Sequence, residues 1–343
     1  MIDLRSDTFT LPDQRMRAAM AGAEVGDDVW GEDPTVRRLE EVVARRLRKE
    51  AAMLVPSGTM ANLCAVVSQT RPGDEVILDG ESHIVVYEAA GGPAVGGVQY
   101  RAVECAGGAP APEQVRAAVR SANIHHPISR LLVIENTHNR RGGAALHEEV
   151  VTAAARAAHD CGLRVHCDGA RLFNAAVALQ CEPAALVAAC DSVSVAFSKG
   201  LGAPVGSVLA ADERTIEEAR RWRKRLGGGM RQAGILAAAC LDALERNLER
   251  LAEDHRNAAV IAAALDGAPG ATVIRVAVPT NIVMLRCSAP AADVVRLAAA
   301  RGVLVTEMDR DLVRCMTYLG IDEGMATHAA AVLRGVLESV PGA

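Results

Sequence analysis

Apolar positions along the first two thirds of the chain fall into two alternating patterns. Short β-type runs at residues 52–55, 75–78, 98–103, 131–135, 164–167, 192–197 and 205–211 are separated by stretches of helical period at 35–49, 60–68, 112–121, 148–161 and 213–225. Strands that alternate with helices in this way predict an α/β fold with a mostly parallel central sheet. Two further apolar helices, 234–251 and 253–265, follow. Beyond residue 272 the pattern shifts to strands at 273–278, 281–286, 303–307 and 312–317 with helices at 291–301 and 324–339, a smaller α+β unit. At the other end Ile2, Leu4 and Ser6 alternate with Asp3, Arg5 and Asp7, the reading of an extended arm of the kind that packs on a partner. A helix at 12–23 and an acidic loop at 26–35 come next, with Thr35 expected to cap the following helix. The expected organisation is an arm (1–15), a large domain (16–250) and a small carboxyl-terminal α+β domain (251–343).

A chain of 343 residues exceeds the size at which one hydrophobic core stops growing, which agrees with two units. Composition narrows the function. The chain is 50% apolar and 23% charged with a net charge of −5, so a basic face for nucleic acid is not expected. Aromatics at 2% also remove base-stacking platforms. No apolar run reaches the length of a membrane span, and the amino terminus is charged where a signal peptide needs an apolar core. Nine cysteines, an odd number without a C-x-x-C pair, read as free thiols in a reducing cytoplasm.

Candidate chemistry sits at the ends of the predicted strands. The chain has only three lysines, and Lys199 lies in a glycine-rich turn between two apolar runs. A lysine there is either a surface turn residue or a desolvated amine able to form a Schiff base, which an arginine cannot do. Ser57, Gly58 and Thr59 stand where a strand turns into a helix, either an ordinary cap or an anion site. His83 follows a strand directly and is open to two readings, a helix cap or an imidazole lying flat on a planar cofactor. Asp168 ends a strand with Arg171 three residues on, placing both in the crevice where open α/β sheets bind ligands unless they form a capping salt bridge. Trp30 serves as a domain staple or a binding wall. Arg231, after three glycines, is a phosphate contact or a solvated arginine, and Arg314, mid-strand, must line a cleft or be paired. His125 and His126 have no partner at ligand spacing, so no metal is expected. Taken in order, anion turn, ring-stacking histidine, strand-end acid and turn lysine are what pyridoxal phosphate requires.

The chain also resembles the low-specificity L-threonine aldolases over nearly its whole length. The resemblance rests on M-I-D-L-R-S-D-T, V-G-D-D-V-W-G-E-D-P-T, P-S-G-T-M-A-N, I-E-N-T-H-N, D-G-A-R-L-F-N, S-K-G-L-G-A-P-V-G-S and R-W-R-K-R-L-G-G-G-M-R-Q. It implies a fold type I pyridoxal phosphate enzyme, a homotetramer of dimers with active sites shared between subunits. By that likeness Lys199 forms the Schiff base, Asp168 pairs with the pyridine nitrogen, Ser57, Gly58 and Thr59 surround the phosphate, and His83 stacks on the ring. Ser6, Arg171 and Arg314 correspond to contacts with the substrate carboxylate and cofactor oxygens, Lys224 and Arg231 to residues reaching a neighbouring subunit, and His125 to the histidine near the substrate hydroxyl. Trp30, where relatives carry tyrosine, and Tyr87 flank the substrate side chain. The implied reaction cleaves L-threonine or L-allo-threonine to glycine and an aldehyde, with His83 or His125 as base. Preference for phenylserine or 3-hydroxyaspartate, β-elimination, transamination and a non-catalytic binding role are the alternatives.

Overall fold

The computed structural model describes residues 1–340. Its strands are β1 (Ile2–Asp3), β2 (Ala51–Val55), β3 (Glu75–Asp79), β4 (Gln99–Val103), β5 (Ser129–Glu135), β6 (Arg164–Gly169), β7 (Ser192–Ala196), β8 (Ser207–Ala211), β9 (Ala271–Ile274), β10 (Ile282–Cys287), β11 (Val303–Leu304), β12 (Thr306–Asp309) and β13 (Leu312–Met316). Seven of them form a sheet in the order β2-β8-β7-β6-β5-β3-β4. Strands β3 to β7 pair in parallel, while β8 runs antiparallel to both β7 and β2. It follows that β2 points the same way as β7, and six strands deliver their carboxyl ends to one edge. That edge carries the site.

The strands are almost wholly buried, with β3, β7 and β8 covered at every position. Such continuous apolar runs are expected where helices cover both faces. Local chemistry sets the helix starts. Ser57 Oγ accepts from Met60 N and caps the helix Gly58–Gln69. The helix Pro34–Leu47 starts one residue earlier than the sequence suggested, because Asp33 Oδ1 accepts from both Thr35 N and Val36 N, so the aspartate and not Thr35 is the cap.

Strands β12-β13-β10-β9 make an antiparallel sheet. It shares a second apolar cluster with the helices Leu251–Leu265, Ala291–Ala300 and Glu323–Ser339. The amino-terminal arm does not extend outward. Ile2 and Leu4 belong to that second cluster, and β1 pairs in parallel with β11. Leu4 N donates to Leu304 O and Met316 N donates to Leu4 O, both at 2.8 Å. Burying two apolar side chains offers the arm a place on its own chain. Among the described residues no helix is long and apolar enough to cross a membrane.

Candidate active site

The carboxyl ends of β2, β3, β5, β6 and β7 contribute groups to the site. Beyond β2 come Ser57, Gly58 and Thr59 at the amino end of a twelve-residue helix, whose first N–H groups have no intrahelical acceptor. Ser207 opens β8 opposite Val55 and Ala196. Its Oγ is buried, has no hydrogen-bond partner among the described residues, and lies 3.7 Å from where a Cβ on Gly58 would stand. Beyond β7, Lys199 is half-buried. Burial, reinforced by the charge of Arg171, pulls its pKa below the usual lysine value, while Asp7, Asp168 and Glu135 oppose that shift.

Asp168 ends β6 and is buried. Its Oδ2 accepts from Asn62 Nδ2 at 2.8 Å and its Oδ1 from Ala170 N at 3.1 Å. Burial pushes this carboxyl up, but the facing charges of His83 and Lys199 outweigh it, so Asp168 stays ionised. Behind it runs a chain of hydrogen bonds. Gln69 Nε2 donates to Ser192 Oγ at 2.8 Å, Ser192 Oγ lies 2.9 Å from His166 Nδ1, and His166 Nε2 lies 3.2 Å from Asn62 Oδ1. His166 is fully buried and its pKa is pushed down to about 4, so it is neutral. Neutral imidazole carries one proton, and Asn62 Oδ1 can only accept, so the donor toward it is Nε2.

His83 follows β3 at the start of the short helix His83–Val86. The chain turns after Glu88 through Ala89 and Ala90, both at positive φ (50° and 56°). His83 N donates to Glu135 Oε2 at 2.7 Å, and the same carboxylate accepts from Asn139 N at 2.8 Å through Oε1. The ring of Tyr87 lies 5.3 Å from that of His83, and Arg140 Nη1 donates to Tyr87 Oη at 3.0 Å.

The arm supplies one half of a buried ion pair. Asp7 is fully buried and receives Arg171 Nε at 2.6 Å and Nη2 at 2.8 Å, a bidentate bridge, with Asn281 Nδ2 at 3.3 Å. Burial pushes the Asp7 carboxyl up, but Arg171 more than offsets it and holds the group below the usual carboxylate range. Ser6 sits beside it, its Oγ accepting from Thr8 N and Thr8 Oγ1. From β13, Arg314 Nη1 donates to Asn139 Oδ1 at 2.8 Å and Nη2 to Arg5 O at 3.1 Å. Burial, with Arg171 next to it, lowers its pKa to about 10, so it remains a cation at neutral pH.

The remaining predicted residues are elsewhere. Lys224, Arg231 and Trp30 are exposed, Trp30 at 76%. They share one outer surface: Val29, Trp30, Lys224 and Gly229 line a common groove, and Arg231 Nη1 bridges to Asp27 at 3.0 Å. His125 is exposed in the loop just before β5, at the amino end of a strand that runs seven residues, about 20 Å, from the edge that holds Lys199. Its own chain does not bring it to the site.

Sequence reasoning passed over Asp7, Asn62, Glu88, Glu135 and Ser207. Asp7 and Glu135 lay within M-I-D-L-R-S-D-T and I-E-N-T-H-N, and for Glu135 a charge at the end of an apolar run was the available signal. His83, Glu88 and Asp168 also bring ligand-type atoms within 4.8 Å of one another. Those atoms already bond to each other and to Asn62, with His83 Nδ1 at 2.8 Å from Glu88 Oε1, so the cluster shares protons in place of offering free lone pairs.

A lysine of lowered pKa, an ionised strand-end carboxylate and a helix amino end, all at the carboxyl edge of this sheet, define an α/β enzyme of fold type I. The threonine aldolase of Leishmania major superposes with a TM-score of 0.84 at 19% identity, covering 98% of this chain and 100% of that one, a likeness of fold alone. Residues 3–288 match the beta-eliminating lyase family. The low-specificity L-threonine aldolase 1 of Arabidopsis thaliana is 47% identical over 288 residues, 83% of this chain and 80% of that protein. The low specificity L-threonine aldolase of Escherichia coli K12 is 42% identical over 339 residues, 98% and 99% of the two chains. The chain belongs to the low-specificity L-threonine aldolases, within the beta-eliminating lyase family.

Proposed function

We propose that this protein cleaves L-threonine, L-allo-threonine and related β-hydroxy-α-amino acids to glycine and an aldehyde, using pyridoxal 5'-phosphate. The observation that carries the reading is the half-buried Lys199 amine, its pKa lowered, in a site where Asp168 stays ionised. The residues present fit the cofactor. The partnerless Ser207 hydroxyl and the free N–H groups at the start of the helix Gly58–Gln69 make an anion seat, with Thr59 exposed beside it.

When bound, pyridoxal phosphate supplies a carbonyl carbon for an amine and a ring that takes up the electron pair of a broken bond. The chain does the rest. Gly58 and Thr59 hold the phosphate, with Ser57 capping the helix that presents them. Asp168 keeps a proton on the pyridine nitrogen, because an ionised carboxylate in a buried site favours the cation beside it. Lys199 Nζ supplies the neutral amine. Arg171 and Arg314, with Ser6, bind the α-carboxylate, and Asp7 fixes the Arg171 fork for that purpose. His83 is the base for the β-hydroxyl, and Tyr87 shapes the slot for the side chain.

Lys224, Arg231 and Trp30, exposed on one outer surface, are read as completing the site of a second copy in a homotetramer of dimers. The nine free cysteines, seven of them buried, support a reducing cytoplasm. Incubation of the purified holoenzyme with L-threonine and L-allo-threonine tests the reaction: glycine and acetaldehyde in equal amounts are expected. Ammonia and a keto acid from the same substrates would replace aldol cleavage with β-elimination.

A further inference from the structure

Glu88 has no part in the reaction as described, yet its carboxyl is one of the most closely held groups in the site. It is buried, 2.8 Å from His83 Nδ1, and its Oε1 also receives Asn62 Nδ2 at 2.8 Å. Asn62 cannot turn over without loss. Its Oδ1 accepts from Ser194 Oγ at 2.8 Å and faces His166 Nε2 at 3.2 Å, so its amide nitrogen must point at the carboxylates. Directly after Glu88, two consecutive alanines adopt the left-handed region that β-carbons disfavour. Such backbone persists where the surroundings hold it in place, here at the turn that delivers Glu88 to the imidazole.

We propose that Glu88 is the positioning residue of His83: its carboxylate holds the imidazole proton on Nδ1 and leaves Nε2 bare to accept the β-hydroxyl proton. The proposal rests on the aldol reading of this site. The O–H bond of the substrate breaks and an N–H bond forms at His83 Nε2. The freed O–H pair becomes part of the aldehyde carbonyl, and the Cα–Cβ pair stays with the glycine fragment. One proton leaves oxygen and one is delivered to Cα, so no co-reactant is consumed. The arrangement follows the logic of a base oriented by a third group.

The groups facing His83 are Glu88 and Tyr87 on its own segment, Asp168 from β6, Lys199 from the turn after β7, and Glu135 from β5 through the backbone N–H. Burial lowers the His83 pKa, but the Glu88 hydrogen bond and the Asp168 charge outweigh it and raise it overall, while Lys199 opposes them. Removing the Glu88 charge therefore makes His83 a weaker base that loses its proton at lower pH.

Glu88→Gln keeps an acceptor oxygen for Asn62 and Nδ1 while removing the charge. The expected results are a fall in kcat of about tenfold, with the acid limb of kcat/KM for L-threonine moved down by about one pH unit. The second readout is the protein without substrate, labelled with ¹⁵N-histidine and assigned with His83→Asn. The unsubstituted protein should show the Nδ1–H tautomer at His83, and its titration midpoint should move down in Glu88→Gln. Glu88→Asp, which keeps the charge, should hold the midpoint nearer the starting value. An Nε2–H tautomer, or an unmoved midpoint with reduced activity, overturns the proposal. If Glu88→Gln does not fold, the tautomer of the unsubstituted protein decides alone. If that protein releases no glycine, the aldol reading fails, and the tautomer and midpoint still report whether Glu88 orients His83.

Discussion

Two sets of cations in this chain have opposite surroundings. Arg171, Lys199 and Arg314 are drawn in at the carboxyl edge of the sheet, where burial opposes their charge and nearby acidic or carbonyl groups favour it. Lys224 and Arg231 lie on an outer surface in contact with water. The first set is complete within one chain, because the arm, the large sheet and β13 meet there. In the second, Arg231 pairs with Asp27 at the surface, and Lys224 makes no ion pair among the described residues. A buried charge states its partner in the same molecule, whereas an exposed one leaves the partner to be supplied.

The largest effect should come from Lys199→Ala, which removes the amine: glycine release from L-threonine should fall below detection, while the protein remains folded by circular dichroism. Retained activity would break the assignment of this lysine. Next, Arg171→Ala leaves Asp7 buried and unpaired, which costs about 3–5 kcal/mol and should lower the urea midpoint accordingly. Lys224→Ala and Arg231→Ala should instead change stability by no more than about 0.5 kcal/mol, as exposed substitutions do, while reducing activity. Mixing inactive Lys199→Ala with Lys224→Ala and allowing subunits to exchange should restore cleavage, since each hybrid dimer contains one intact shared site. No recovery would place both sets in the same subunit's site.

The last effect is a pH dependence of stability. His166 is neutral in the folded protein with a pKa of about 4 and titrates near 6.5 when unfolded. The unfolded chain thus binds more protons between these values, so stability is complete above about pH 6.5 and falls as pH drops toward 4. The loss amounts to about 3 kcal/mol for this group at about 1.4 kcal/mol per pKa unit. Denaturant midpoints of His166→Gln should show a shallower fall over that window.

The strand-helix alternation was legible because buried parallel strands are continuous apolar runs, as at Leu131–Ile134 within β5, and crossover helices carry a 3.6-residue period. Helix ends were read less well. Asp33 displaced Thr35 as a cap because either side chain reaches the orphan N–H groups, and only the backbone path chose between them. The arm read as one that packs on a partner because two strand residues and a short helical turn have no period long enough to announce burial against their own chain.

At the site, residue types set the chemistry: an amine at Lys199, a carboxylate at Asp168 and a glycine-bearing helix start at Gly58 are what a carbonyl cofactor with a phosphate requires. These were evident from order alone, since a strand end is a place the chain itself specifies. What only the tertiary structure decided is which distant side chains meet. Asp7 and Arg171 are 164 positions apart, and Asn62 and Asp168 are 106 apart, yet each pair is bonded at 2.8 Å or less. It also set His125 apart from Lys199, because a helical crossover returns the chain to the amino edge of the sheet before β5 begins. Local sequence fixes where a group sits along its own strand. Partnership depends on strand order, which is chosen by the burial of the whole sheet.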